Sequence, residues 1–226
     1  ALLLLRAGLT PDSTVDCPAT TTVDGKSFSN YPDYPTNALG SISLTTAIAN
    51  SCNTAMIISG MKSRPKDLED AAAALGFGVD NDLGFPAYFG EVPDAGTKTQ
   101  VAADLIGQGQ VTASPMVMAT VLASIIAAKT VVPKLLPDHE VIAQDDDVTP
   151  VSGADANDLF TMLRAVVTQG SGGLLKDLPG PPVLAKTGTA QYGTKEPYPT
   201  HAWMVASQGD LAVAVFVGTG ESGSRT

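Results

Sequence analysis

Aromatic side chains make up only 5% of this 226-residue sequence, so a sizeable core has to be filled by aliphatic residues. Basic residues are scarce too: 13 Lys and Arg stand against 23 Asp and Glu, for a net charge of -10. No basic patch and no interleaving of aromatic with basic residues is visible, which argues against nucleic acid as a partner, and anionic membrane lipids would repel the chain. The two histidines, His139 and His201, are far apart and the cysteines are not clustered, so neither a zinc site nor any other cofactor is expected. His139 sits in a surface turn, and His201, which starts a strand, reads as structural. The acidic run at 145–147 lacks the spacing of a calcium loop and reads as a solvated linker. No apolar stretch reaches the roughly 20 residues that span a bilayer, and the short apolar run before Arg6 lacks the layout of a signal peptide. No internal repeat or second domain is evident, and the length suits one large domain.

What is present is a pattern of helices followed by strands. Gly180-Pro181-Pro182 stops the chain before Val183, where a strand begins and runs into Lys186-Thr187-Gly188-Thr189-Ala190. Residues 191–200 read as a loop, and 201–206 and 211–217 as two strands joined at Gly209-Asp210. The last strand is apolar at alternate positions on both sides, Leu211, Val213 and Val215 one way and Ala212, Ala214 and Phe216 the other, and so should be covered on both faces. Helices are expected after Ser41 or Ser43, after Ser63 with Pro65 in the first turn, after Ser114, and over 157–168 behind a Ser152/Asp155 capping box. Residues 12–37 and 77–99 read as surface excursions, the second of which could border a groove, and 170–182 as a connector. The fold class is α/β (α+β), an antiparallel sheet covered by helices on both faces.

Two short motifs carry the chemistry. Lys186 supplies a cation on a strand whose Gly188 lets a ligand backbone approach, while Thr187 and Thr189 project from the other face; an edge position or a local twist is needed for one ligand to meet both. Ser51 and Asn53, two residues apart, face together only where the chain is extended or turning, with Cys52 directed inward. Taken singly, each motif is as well explained by an ordinary strand or a helix connection.

In this order the motifs resemble the transpeptidase domain of the penicillin-binding proteins, a penicillin-binding/β-lactamase-like fold. Ser51-Cys52-Asn53-Thr54-Ala55 is similar to the family's second motif, Gly107-Gln108-Gly109 with Ser114-Pro115-Met116 to its glycine-glutamine-glycine segment and following helix, and Lys186 to Gln191 with His201-Ala202-Trp203 to its third motif and next strand. The style is that of the class B, high-molecular-mass enzymes. One family element has no match. The nucleophilic serine with a lysine three residues on should precede the second motif, yet Ser59-Gly60-Met61-Lys62 and Ser63-Arg64-Pro65-Lys66 both follow Asn53. Residues 1–226 are therefore expected to be the C-terminal part of the domain, with the nucleophile upstream of Ala1 and Ala1 to Arg6 the back half of its helix.

The resemblance implies a serine-type D,D-transpeptidase that cross-links peptidoglycan stem peptides through an acyl-enzyme and is acylated by β-lactam antibiotics. This stretch alone should be inactive. A D,D-carboxypeptidase, or a β-lactam sensor or other non-catalytic penicillin-binding module, is the alternative. It implies catalytic roles for Ser51, Asn53 and Lys186 and substrate contacts for Thr187, Gly188 and Thr189, with one oxyanion donor from the Thr189 N–H. Implied partners are stem peptides, their lipid-linked precursor and a membrane glycosyltransferase. Implied surroundings are the extracytoplasmic face of the bacterial cell membrane, with an anchor outside this chain and a part in cell-wall biogenesis, shape or division. Outside the cytoplasm Cys17 and Cys52 could form a disulfide that tethers the 12–37 excursion behind Ser51 and Asn53; two separate buried thiols are the alternative.

Overall fold

A computed structural model describes residues 1–143 and 148–225, so the acidic run at 145–147 lies outside the described residues. In chain order come α1 (Leu2–Arg6), β1 (Thr14–Cys17), β2 (Thr20–Val23), β3 (Lys26–Ser29), β4 (Gly40–Ser43), α2 (Leu44–Ala49), α3 (Asn53–Gly60) and α4 (Pro65–Ala73). Then follow β5 (Asn81–Asp82), α5 (Lys98–Asp104), α6 (Pro115–Ala127), β6 (Ile142–Ala143), α7 (Gly153–Gln169), β7 (Val183–Gln191), β8 (Thr200–Gln208) and β9 (Leu211–Val217). The last three strands form an antiparallel sheet in the order β7-β8-β9 that places Lys186 opposite Val205 and Gly188 opposite Trp203. Among the described residues, the outer edge of β7 pairs with no other strand.

Strand alternation splits the sheet's apolar residues between two packing layers. On one face Leu184, Val205, Ala212 and Ala214 join a core with Leu44, Leu122, Met162 and Val166 from α2, α6 and α7. On the other, Val183, Ala185, Met204 and Ala206 pack against Val167 and Leu175. Helices thus flank an antiparallel sheet in a mixed α/β fold.

One strand departs from expectation. β9 is covered where Ala212 and Ala214 meet the core, but Leu211, Val213 and Val215 on its other side are 60%, 41% and 48% exposed. Among the described residues, Val167 and Leu175 cover that second face only as far as β7 and β8.

Serine and aspartate side chains set the helix starts. Ser43 accepts a hydrogen bond from Thr46 N at 3.1 Å, and Ser114 from Val117 N at 3.2 Å. At α7 the capping is reciprocal: Ser152 Oγ accepts from Asp155 N at 3.1 Å while Asp155 accepts from Ser152 N at 3.3 Å. α4 starts differently from the sequence expectation. Arg64 rather than Ser63 is its N-cap, because Asp67 reaches back to accept from Arg64 N at 2.9 Å. Substituting Ser152 by alanine is expected to cost about 1 kcal/mol and lower the thermal midpoint by a few degrees; α7 carries Met162 and Val166, both fully buried, so its fraying is felt by the whole core.

The two presumed excursions are anchored by single apolar residues that polar neighbours disguise. β1 pairs with β4, and the β2–β3 hairpin inserts Phe28 against Ile57 of α3 and Ala102 of α5. In 77–99, Phe77, Leu83 and Phe89 enclose Val117 of α6 in a small separate core.

Candidate active site

The backbone turns sharply between α2 and α3. Ser51 holds a left-handed conformation with φ 56°, which costs a non-glycine residue free energy and persists only where its surroundings enforce it. Cys52 is fully buried, caps α3 by accepting from Ala55 N at 3.3 Å, and is joined to Cys17 in a disulfide. Thr54 donates its hydroxyl to Pro18 O at 2.7 Å and its N–H to the buried Asn30 side chain at 3.2 Å. Asn53 donates to Ser29 O at 3.1 Å, which leaves its side-chain oxygen, an acceptor, unengaged by that bond. The stretch from β1 to just past β3 therefore grips the turn at four successive points.

Across from this turn stands β7. Lys186 Nζ donates to Ser51 Oγ and, at 2.8 Å, to the carbonyl of Thr187. The residues it connects are 135 positions apart. Burial pushes the Lys186 ammonium down to about 8, and among the described residues no carboxylate is paired with it to offset the loss of water.

The depressed lysine has a consequence for stability. Its folded-state affinity for a proton is below that of an ordinary lysine near 10.5, so the unfolded chain binds more protons between about pH 8 and 10.5. Stability from this group should rise across that window, by about 3 kcal/mol at most, and be flat below it. Wild type minus Lys186→Met, followed as thermal midpoint against pH, isolates the effect from Tyr34, whose raised pKa works oppositely at higher pH. A flat difference would mean that Lys186 titrates as in water.

The remaining motif residues divide as strand alternation requires. Thr187 turns away from Lys186 and its hydroxyl lies 2.7 Å from Ser171 Oγ. Thr189 is exposed, close to the free edge of β7. Gly188 faces Trp203 across the sheet, and a Cβ there would come 3.2 Å from Trp203 Cβ. The lack of a side chain at 188 thus accommodates the tryptophan. Ser51 and Lys186 are brought together, while Asn53 lies one helix start away with its amide turned to Ser29.

Several residues on which the site depends escaped the sequence reading. Asn30 and Ser29 lay hidden in what reads as an excursion, and Ser171 in a glycine-rich connector; the only outward signal was a lone hydroxyl among Gly170, Gly172 and Gly173. Asp104 is another. It is buried at the end of α5, accepts from Gln100 at 2.8 Å and from Gln110 N at 3.4 Å, and so holds the turn at Gly107-Gln108-Gly109. α5 packs on α3 through Ala102 and Ile57, which makes that segment a support for the helix that Asn53 starts. His201 stacks on Tyr192 and bonds Gly218 O at 2.7 Å, and His139 lies by Asp82. Among the described residues, no group of three or more His, Cys, Asp or Glu side chains is placed to share a cation.

The family profile described as the penicillin binding protein transpeptidase domain matches residues 1–224. The chain is 31% identical over 240 residues to peptidoglycan D,D-transpeptidase PbpA of Mycolicibacterium smegmatis, and 28% identical over 241 residues to the protein of the same name from Mycobacterium tuberculosis. Each match covers 96% of this chain and 47% of the relative, so the chain spans about half the length of these curated relatives. In structure it is similar to penicillin-binding protein A from M. tuberculosis in a ceftriaxone acyl-enzyme complex, with a TM-score of 0.81 and 26% identity over 96% of this chain and 52% of that one. The D,D-transpeptidase domain of a peptidoglycan glycosyltransferase from Eggerthella lenta, at TM-score 0.78 and 21% identity over 97% of this chain and 58% of that one, shares the fold.

Proposed function

Because the chain belongs to the penicillin-binding-protein transpeptidase family, we propose that Ser51, Asn53 and Lys186, with Thr187, Gly188 and Thr189, form one wall of a serine acyl-transfer site for the D-alanyl-D-alanine end of peptidoglycan stem peptides. The observation that carries this is the Lys186 ammonium resting on the Ser51 hydroxyl, two side chains that the fold brings from opposite ends of the sequence.

The nucleophilic oxygen adds to the carbonyl carbon between the two D-alanines, the carbon–nitrogen bond breaks, and the last D-alanine leaves with the proton. An amine from a neighbouring stem then attacks the ester, forming the cross-link and returning the serine. Ser51 is suited to pass the proton to the leaving nitrogen, since Lys186 fills one of its lone pairs and leaves its own O–H free to donate. The Asn53 side-chain oxygen can accept from a substrate amide. Thr187, Thr189 and the Lys186 charge favour the terminal carboxylate, and the free edge of β7 can pair with an extended peptide. Neither Ser-x-x-Lys of the chain fits the nucleophile. Ser59 is buried in α3, roughly 9 Å along the helix from Asn53, and Ser63 lies in the turn before α4. The reading therefore requires a nucleophilic serine that residues 1–226 do not supply.

Peptidoglycan is assembled outside the cytoplasmic membrane, where a disulfide such as Cys17–Cys52 persists, and this bond supports an extracytoplasmic location for the domain. Among the described residues, no helix is long and apolar enough to cross a membrane. β-Lactams, the lipid-linked precursor and a membrane glycosyltransferase are the partners that fit the reaction. Labelling full-length protein with a fluorescent penicillin, then assaying cross-linking of lipid-linked precursor, tests the proposal. Labelling with cross-linked product supports a transpeptidase, release of D-alanine without cross-links a carboxypeptidase, and labelling alone a sensor. Absence of a covalent adduct would sink the acyl-transfer reading.

A further inference from the structure

Ser171 joins the two elements that carry the site residues, the end of α2 before Ser51 and β7. Its N–H donates to Ala49 O at 3.2 Å, two residues before Ser51, and its hydroxyl lies 2.7 Å from that of Thr187, the residue after Lys186. The residues on either side of it are closely held. A Cβ at Gly170 would fall 1.9 Å from Ala49 O, and Gly172 N donates to Val166 O at 2.9 Å, closing the end of α7. The end of α7 is thereby fastened at one point to the end of α2 and to β7.

A hydroxyl has one proton to donate and two lone pairs to accept with. Either hydroxyl can be the donor in this bond. When Ser171 gives its proton to Thr187 Oγ1, the Thr187 proton is left for a ligand. We propose that Ser171 is a positioning residue for the anion-binding end of the site, aiming the Thr187 hydroxyl at a ligand carboxylate. The inference rests on the acyl-transfer reading above.

The test separates binding from chemistry. In full-length protein, Ser171→Ala should raise the dissociation constant of the complex that precedes acylation by benzylpenicillin about 10-fold, the size of a hydrogen bond to a charged group. The rate constant of the acylation step should stay within about 2-fold, since Lys186 and Ser51 are untouched. Binding of the neutral benzylpenicillin methyl ester should be unaffected, and Ser171→Thr should restore the carboxylate form. Should Ser171→Ala fail to fold, Ser171→Cys keeps the volume with only a weak donor and carries the same expectation. Equal weakening of both ligands, or of neither, overturns the assignment while leaving the acyl-transfer reading intact. A wild-type protein that is not acylated removes that reading, and this inference with it.

Discussion

Replacement of Lys186 by alanine is expected to slow acylation by a penicillin about 1,000-fold in the full-length protein, at the upper end of what removal of one transition-state donor costs. Lys186 fixes the Ser51 hydroxyl and, in the proposed site, supplies the positive potential over the ligand carboxylate, and alanine removes both at once. Among the described residues no carboxylate is paired with the ammonium and burial works against its charge, so its removal is not expected to unfold the domain at pH 7. Ser51→Ala should cost about 100-fold, and the double variant little more than Lys186→Ala alone, because the two groups act as a unit. Rates come from the time course of fluorescent-penicillin labelling. Independent, multiplying losses would show that the contact between them is incidental to acylation.

Removal of the Cys17–Cys52 bond is expected to lower stability by about 4 kcal/mol, the loop-closure value for cysteines 35 residues apart, and the thermal midpoint by roughly 10 °C. Cys17→Ala/Cys52→Ala, compared with wild type before and after reduction, measures this in calorimetry. The functional effect should be smaller, about 10-fold in acylation rate, since Pro18, Ser29 and Asn30 still hold the turn by hydrogen bonds. Its origin is the left-handed Ser51, which is free to relax to a commoner conformation once Cys52 is released. A midpoint that falls while acylation is unchanged would assign the bond to stability only.

Much of the architecture was legible because periodicity and capping are local. Ser43, Ser114 and Ser152 with Asp155 mark helix starts within a few residues of where the chain needs them, and alternation through β7 separates Lys186 from Thr187 before any fold is known. The misreadings have a common cause. β9 reads as buried on both faces because its residues are apolar, but burial belongs to what packs alongside, and Val167 and Leu175 extend only over β7 and β8. Arg64 displaced Ser63 as a cap because Asp67 answers the same backbone need from the other side. Phe28 and Phe89 anchor segments whose glycine, proline and polar content speaks of loops.

By itself, the sequence determined the helices capped by Ser43, Ser114 and Ser152, the three strands at the end of the chain, and the residue types of the two motifs with their resemblance to one enzyme family. Backbone conformation and side-chain alternation depend on near neighbours, and a sequence displays near neighbours directly. Only the tertiary structure decided that Lys186 meets Ser51, that Asn53 is turned to Ser29, and that Ser171 stands between Ala49 and Thr187. Those contacts join residues up to 135 positions apart, and they exist because one hydrophobic core fixes α2, α7 and the sheet relative to one another, which no local pattern encodes.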